Sequence, residues 1–481
     1  MVTVKVHFKD DFVDQLTRRS RAPELLVRLD RRGPGSLSAQ LERELRDAVR
    51  SGRLRARTPL PSTRALATEL GVSRGLVVAA YAQLGAEGYL ELRRNAPPLV
   101  AGSIGSQPAT RTLAADPYWR FNLRPDLPDF AAFPREEWLT SYRAALKRAP
   151  DVDLAYGDVR GAAVLREELL TYLGRVRGVV GDSEHVFVCG GFAQAIGLLG
   201  GVLARNGTAR IGVEDPSHAV IRALAARSGM EPVPIPVDEE GIDVAALAKA
   251  APDAVMVTPA HQFPTGVVLS PERRSRLLAW AESADALVIE DDYDAEFRYD
   301  RAPVGALQGL MPDRVVYCGS ASKTLAPTLR LGWMVAPPRL VHGLVDQVLY
   351  TAIAPPRLEQ LAFADFLGRG ELDRHLRRMR LRYRRRRDEL VRSLARELPE
   401  VEVRGVAAGL YLAAVLPREL DESRVLDEAR ARGIGVYGMS EHCERIRREP
   451  ALLLGYALSH EPTIRAAVRK LAEAVRAAGR A

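Results

Sequence analysis

The sequence predicts two unlike folds in one chain: a small, mainly helical α+β block up to residue 100, and a larger α/β block over residues 119–481. Three observations predict this. Amphipathic helices with a tight turn fill the first block, short apolar strands alternate with helical stretches in the second, and residues 101–118 between them lack hydrophobic periodicity. The 481 residues leave room for about three domains, and 47% hydrophobic residues suffice for ordinary cores.

The N-terminal block reads as three helices between Ser36 and Leu90. Leu37, Leu41, Leu45 and Val49 form one stripe of the first helix, which ends near Gly52. In LPSTRALATEL, Ser62 follows Pro61 as an N-cap, and Leu66, Ala67 and Leu70 face inward. Gly71 supplies a sharp turn, Ser73 caps the third helix, and Leu76, Val77, Ala80, Tyr81 and Leu84 make its apolar face. Two amphipathic helices joined by a short Gly-containing turn form a helix-turn-helix, whose second helix offers Ser73 and Arg74 to a DNA major groove. From Ser36 to Val100 there are ten Arg and six acids, a balance of +4. With roughly four to six of those arginines on phosphates, affinity falls with salt at a slope of about −0.9 per contact. A solvated bundle with surface arginines is the bland alternative, and the ordered motif decides against it.

The next segment, AGSIGSQPATRTLAADPY (101–118), is rich in Gly, Ser, Pro, Thr and Ala and reads as a linker. Beyond it, VFVCGG (186–191), RIGVED (210–215), AVMVTP (254–259), ALVIED (286–291) and VVYCGS (315–320) are buried-looking runs separated by helices such as PERRSRLLAWAESA (271–284). That alternation argues for a parallel sheet with ligands at the carboxyl ends of its strands.

Charge and cysteines bound the partners. Against 61 Asp+Glu stand 69 Lys+Arg, a net charge of +8, carried almost wholly by arginine. This suggests an acidic partner for one region. Three widely spaced cysteines form neither a disulfide framework nor a zinc site, so no metal is expected. No apolar run reaches the roughly 18 residues of a membrane helix, and MVTVKVHFKDDF has acids where a signal peptide is apolar. A cytoplasmic, reducing setting without membrane contact is expected.

The motif LPSTRALATELGVSRGLVVAAYAQLGAEGYL resembles the GntR-type winged helix over about 65 residues. The resemblance implies that Arg64 and Arg74 contact double-stranded DNA, with Ser62 and Ser73 as caps and phosphate ligands. Gly75-Leu76 departs from the family by removing a potential base contact. The wing turn RRNAPPLV (93–100) is not Gly-rich and leaves Arg93 and Arg94 as its contacts.

Four features of the large block carry chemistry. Lys323 follows an apolar strand in SASKTLAPTLRLGW, flanked by Ser320, Ser322 and Arg330, a phosphate-gripping set around an amine. Among only six lysines, such placement argues against an incidental lysine in a Ser-rich turn. Asp291 and Tyr293 lie in VIEDDYDAEF directly after a buried strand. These acids suit a cationic partner, although solvated loop acids are an equal reading and the choice between Asp291 and Asp292 stays open. Gly190-Gly191-Phe192-Ala193-Gln194 opens a helix whose N–H groups favour an anion. His218, in Pro216-Ser217-His218, closes another strand, where it is either a stacking ring or a turn residue. Together these meet the needs of pyridoxal 5'-phosphate: a Schiff-base lysine, an anion nest, an acid for the ring nitrogen and a hydroxyl for the ring oxygen.

Residues from about 119 onward resemble fold-type I, aspartate-aminotransferase-like enzymes, through YGDVRGAAVLREELLTYLGRVRG, GGFAQAIGLL, VEDPSH, IEDDYDAEF, SASKTLAPTLRLGW and LLLGYALSH. HQFPTG and EDDYD are the forms of MocR-type regulators, in which a GntR winged helix precedes such a domain. The resemblance implies a large subdomain to about residue 370, a small C-terminal one, and a homodimer. It implies Lys323 as the Schiff-base lysine, Asp291 opposite the ring nitrogen, Tyr293 on the ring oxygen and His218 stacked. Gly191, Phe192, Ala193, Ser320, Ser322 and Arg330 would hold the phosphate, with Tyr156 from the partner subunit. At the place where aminotransferases clamp the substrate carboxylate with arginine stands Leu453, leaving His442 or another arginine as substitute. The expected function is a transcriptional regulator sensing pyridoxal phosphate, an amine or an amino acid. The alternative is a working aminotransferase with an accessory DNA-binding domain. The run RHLRRMRLRYRRRRDEL (374–390) reads as a solvated helix face that could also brush DNA phosphates.

Overall fold

The computed structural model describes residues 2–6, 25–31, 34–93, 96–101, 119–207, 210–300, 304–351 and 355–480. The chain forms two compact units, Met1–Pro117 and Tyr118–Ala481. From residue 102 on, the expected linker lies outside the described residues.

In the first unit, an antiparallel pair of strands, Val2–Val6 and Leu25–Leu29, accompanies helices Leu37–Arg50, Thr63–Leu70 and Arg74–Ala86. Each helix starts at a serine whose hydroxyl accepts a backbone N–H: Ser36 from Ala39, Ser62 from Ala65 and Ser73 from Leu76. Gly71 ends the second helix at φ +62°, a left-handed conformation that favours glycine. Leu41, Leu45, Leu66, Leu70, Val77, Tyr81 and Leu84 close one core, and the Tyr81 hydroxyl donates to Pro61 O at 3.0 Å. Strands Leu90–Glu91 and Leu99–Val100 pair as a short antiparallel ribbon, the wing.

The second unit is built on an eight-stranded sheet. Its strands lie in the order Val186–Cys189, Gly332–Val335, Val315–Ser320, Leu287–Asp292, Ala254–Val257, Arg210–Asp215, Glu231–Asp238 and Gly241–Ile242. Gly332–Val335 runs antiparallel to both its neighbours, and the last two strands are antiparallel to each other, while the central ones are parallel. Both faces are covered, so side chains of one strand alternate between two cores. Met256 packs with Ile196 and Leu199, whereas Val255 and Val257 pack with Leu277 and Ala281. This layering sends the ends of several strands to one edge, where the site forms.

Toward the C-terminus, Glu402–Arg404, Tyr411–Val415, Ala451–Gly455 and Tyr437–Gly438 make a four-stranded antiparallel sheet. The early segment Phe121–Asn122 pairs with Ile434–Gly435 of this region. The basic run falls in the helix Glu371–Glu397, whose Leu372, Leu376, Met379, Tyr383, Leu390 and Leu394 are buried. Its arginines are not all solvated, contrary to the sequence expectation of a solvated face. Arg386 is 1% exposed and pairs with Asp129 at 2.9 Å, and Arg382 joins the same carboxylate at 3.1 Å. A buried guanidinium needs such a counter-charge, and this one comes from far away in the chain.

Candidate functional site

The carboxyl ends of the central strands enclose a cavity of about 320 Å³. Lys323, Ser320, Ser322, Arg330, Gly191, Phe192, Ala193, Asp291, Tyr293 and His218 all line it. Burial holds the Lys323 amine below the usual lysine range, against the pull of nearby Asp126, Asp294 and Asp291. Its Nζ donates to the backbone carbonyl of Asp126. Arg330 follows the short turn Pro327–Leu329 at φ +50°, is exposed to the cavity, and has no acidic partner among the described residues.

The anion cradle is a matter of backbone. Gly191 precedes the helix Phe192–Arg205 at φ +115°, where an L side chain would be strained. A Cβ on Gly332 of the neighbouring strand would sit 2.6 Å from Gly191 Cα, so that position must be glycine for the turn to close. A helix leaves its first N–H groups without intrahelical partners, and Gly191, Phe192 and Ala193 at this start line the cavity.

Three successive acids divide along the strand Leu287–Asp292. Glu290 accepts from the N–H groups of Leu307 and Gln308, and Asp292 accepts from Arg177 at 2.6 Å and from the Tyr317 hydroxyl at 2.7 Å. Asp291 points the other way, into the cavity, and its carboxylate has no hydrogen-bond partner among the described residues. Burial, with Asp292 and Asp294 nearby, raises its pKa well above the usual range. Strand alternation thus settles which aspartate faces the cavity.

Tyr293 donates to His261 O at 2.8 Å, and His261 Nδ1 lies 2.9 Å from Asp294. His218 caps the helix Ala219–Arg227, its Nδ1 accepting from Val220 N at 3.2 Å. Its ring centroid lies 5.6 Å from that of Phe263. Tyr156 is fully exposed and does not line this chain's cavity. Leu453 is buried beside Tyr411, Ala413 and Met439. Burial pushes the His442 pKa down to about 4, which makes it a poor counter-charge for a carboxylate near neutrality.

Sequence reasoning missed several lining residues. Glu214, at the end of RIGVED, accepts from the Thr258 hydroxyl at 2.5 Å and from Gln262, and burial raises its pKa to about 7. Its strand-end position is the signal that also marked Asp291. Phe263, Tyr411 and Asp126 also line the cavity, and no local pattern announces them.

In the first unit, Arg64 and Arg74 are exposed at the starts of the second and third helices beside the capping Ser62 and Ser73. Arg74 Nε is 3.4 Å from the Thr63 hydroxyl. Arg93 folds back onto Pro97 O at 2.8 Å, bracing the wing turn, and Arg94 lies outside the described residues. Arg46 is taken by Glu87, at 2.9 and 2.8 Å.

Among the described residues no helix is long and apolar enough to cross a membrane, and no group of three or more His, Cys, Asp or Glu side chains could hold a metal ion. Fold and cavity define a helix-turn-helix head of DNA-binding type joined to an aminotransferase-type domain.

Residues 37–100 match the family of bacterial regulatory proteins, gntR family, and residues 134–453 match aminotransferase class I and II. The chain is 33% identical over 459 residues to the HTH-type pyridoxine biosynthesis transcriptional regulator PdxR of Corynebacterium glutamicum, covering 94% of this chain and 99% of that one. It is 32% identical to the probable rhizopine catabolism regulatory protein MocR of Rhizobium meliloti, covering 93% and 95%. Kynurenine aminotransferase of Pyrococcus horikoshii superposes with a TM-score of 0.68 at 26% identity, covering 74% of this chain and 91% of that one. The chain belongs to the MocR-type transcriptional regulators, in which a GntR head precedes an aminotransferase-like domain.

Proposed function

We propose that the large unit binds pyridoxal phosphate at Lys323, and that cofactor and effector occupancy there sets how the winged helix binds its operator. One observation carries this reading: a buried carboxylate without a hydrogen-bond partner and a guanidinium without an acid, among the described residues, face a single cavity with a lysine of lowered pKa. These complement a ring N–H, a phosphate and an aldehyde in turn.

When bound, pyridoxal phosphate supplies an aldehyde that condenses with amines and a ring that withdraws electrons. Lys323 offers an amine whose burial favours the neutral, nucleophilic form. Asp291 would accept a hydrogen bond from the protonated ring nitrogen, and Tyr293 would turn its hydroxyl from His261 O to the ring oxygen. Arg330, Ser320, Ser322 and the N–H groups of Gly191, Phe192 and Ala193 hold the phosphate. His218 stacks on the ring, and Tyr156 completes the site from the other subunit of a homodimer. An effector that binds one arrangement of the protein better than another shifts its population, and this is the regulatory step.

The aminotransferase reading is favoured by the fold and by the Lys323–Asp291 pair. Against it, Leu453 carries no charge where a clamp is needed and His442 is neutral. Amino acids with a keto acid should give negligible turnover.

The test has two arms. Borohydride should bleach the visible band of the loaded protein and fix the cofactor on Lys323, and labelling elsewhere refutes the site. A footprint of the upstream intergenic region should change on adding pyridoxal phosphate, and an unchanged footprint refutes the coupling.

A further inference from the structure

Asp126 has no task in that reading, yet it lines the same cavity. Its segment is pinned on both sides. Leu123 N–H donates to Gly435 O at 2.8 Å, and Leu123 O accepts from Gly455 N at 2.7 Å. Three residues beyond, the Asp129 carboxylate holds Arg386 and Arg382, and its N–H donates to the Tyr383 hydroxyl at 2.9 Å. Between these anchors, Asp126 Oδ1 is buried without a hydrogen-bond partner among the described residues. The backbone carbonyl of the same residue receives Lys323.

The charges of the cavity do not balance around it. Among the described lining residues, Lys323 and Arg330 are the only lysine and arginine. Arg330 is complementary to the phosphate, and Lys323 is committed to the aldehyde. His218 remains, but burial lowers its pKa and its Nδ1 already accepts from Val220 N. A carboxylate facing a half-dry cavity whose neighbouring lysine is committed to the cofactor is costly, and a ligand cation relieves that cost. A ligand carboxylate has no such reception. Arg222 is spent on Ser217 O, His442 O and Glu444, and His442 is uncharged. Val220, Ile221 and Leu224 give the cavity an apolar wall suited to methylenes.

We infer that the effector is a diamine, with one amine directed to the cofactor carbon held by Lys323, an alkyl chain on the apolar wall and a second ammonium on Asp126. This rests on the cofactor reading above. The exchange is redox-neutral: the C=N bond to Lys323 breaks as one to the incoming neutral amine forms, and the two N–H protons of that amine end on the Lys323 nitrogen, which is released as a neutral amine.

The test titrates the full chain, loaded with pyridoxal phosphate, with putrescine, butylamine and the ω-amino carboxylate of the same length, following the visible band. Putrescine should half-saturate at roughly tenfold lower concentration than butylamine, beyond the twofold statistical advantage of two amines, and the amino carboxylate should be weakest. In Asp126→Asn and in Asp126→Ser, which retain the backbone carbonyl that receives Lys323, the cofactor band should persist and the diamine advantage vanish. Equal response to putrescine and butylamine, preference for the amino carboxylate, or an advantage surviving in both variants overturns the inference. A wild-type chain that takes up no cofactor overturns the underlying reading as well, whereas a coloured protein indifferent to diamines overturns the inference alone.

Discussion

Asp292 is held by Arg177 at 2.6 Å, whereas Asp291, one residue earlier on the same strand, faces the cavity with no cation within ion-pair distance among the described residues. Both members of the Asp292–Arg177 pair are 1% exposed in their side chains. Asp292→Asn leaves a buried guanidinium uncompensated and should cost about 3–5 kcal/mol in denaturant unfolding. Asp291→Asn should leave the unfolding midpoint near that of the wild type and instead weaken retention of pyridoxal phosphate, read from the visible band on dilution.

Glu214 gives a pH dependence with a definite sign. Its pKa is raised by burial to about 7 from an ordinary value of 4.5. The folded protein therefore keeps this proton after the unfolded chain has lost it. The resulting stability is complete below pH 4.5 and disappears as pH rises to about 7. In cofactor-free protein, wild type should lose about 3 kcal/mol relative to Glu214→Gln across that interval. A difference between the two that does not vary with pH rejects this.

Gly332→Ala tests the cradle without removing a polar side chain. Its Cβ would press on backbone of Gly191 at 2.6 and 2.9 Å, which no rotamer change relieves. Calorimetric affinity for inorganic phosphate and for pyridoxal phosphate should fall together, while Gly197→Ala, whose Cβ meets nothing within 4 Å, should change neither.

In the DNA head, Arg74→Ala should weaken operator binding on the order of tenfold and lower the slope of log affinity against log salt by about one. Cofactor content should stay the same. Fluorescence anisotropy over a salt series separates a lost phosphate contact from misfolding, because Ser73 still caps the helix.

Periodicity made much of this legible. Serine caps, the Gly71 turn and the strand ends carrying Glu290–Asp292 and Ser320 obey local rules, so their places follow from neighbouring residues. Asp291 and Asp292 remained ambiguous because alternation says that they diverge without saying which side holds the cavity. Pairings across long stretches of chain were hidden for another reason. Asp129 meets Arg386 at a separation of 257 residues, and Asp126 reaches the site from a segment strapped to a remote sheet. Nothing local marks such residues, and the arginine run was read as a solvated helix face that could also brush DNA phosphates.

The strap that carries Asp126 is stitched to the C-terminal sheet, while Lys323 belongs to the turn after a central strand. A guest touching both works as a rivet across a seam. Filling the cavity should stiffen the joint between these two parts, and the melting temperature should climb with the concentration of whatever occupies it.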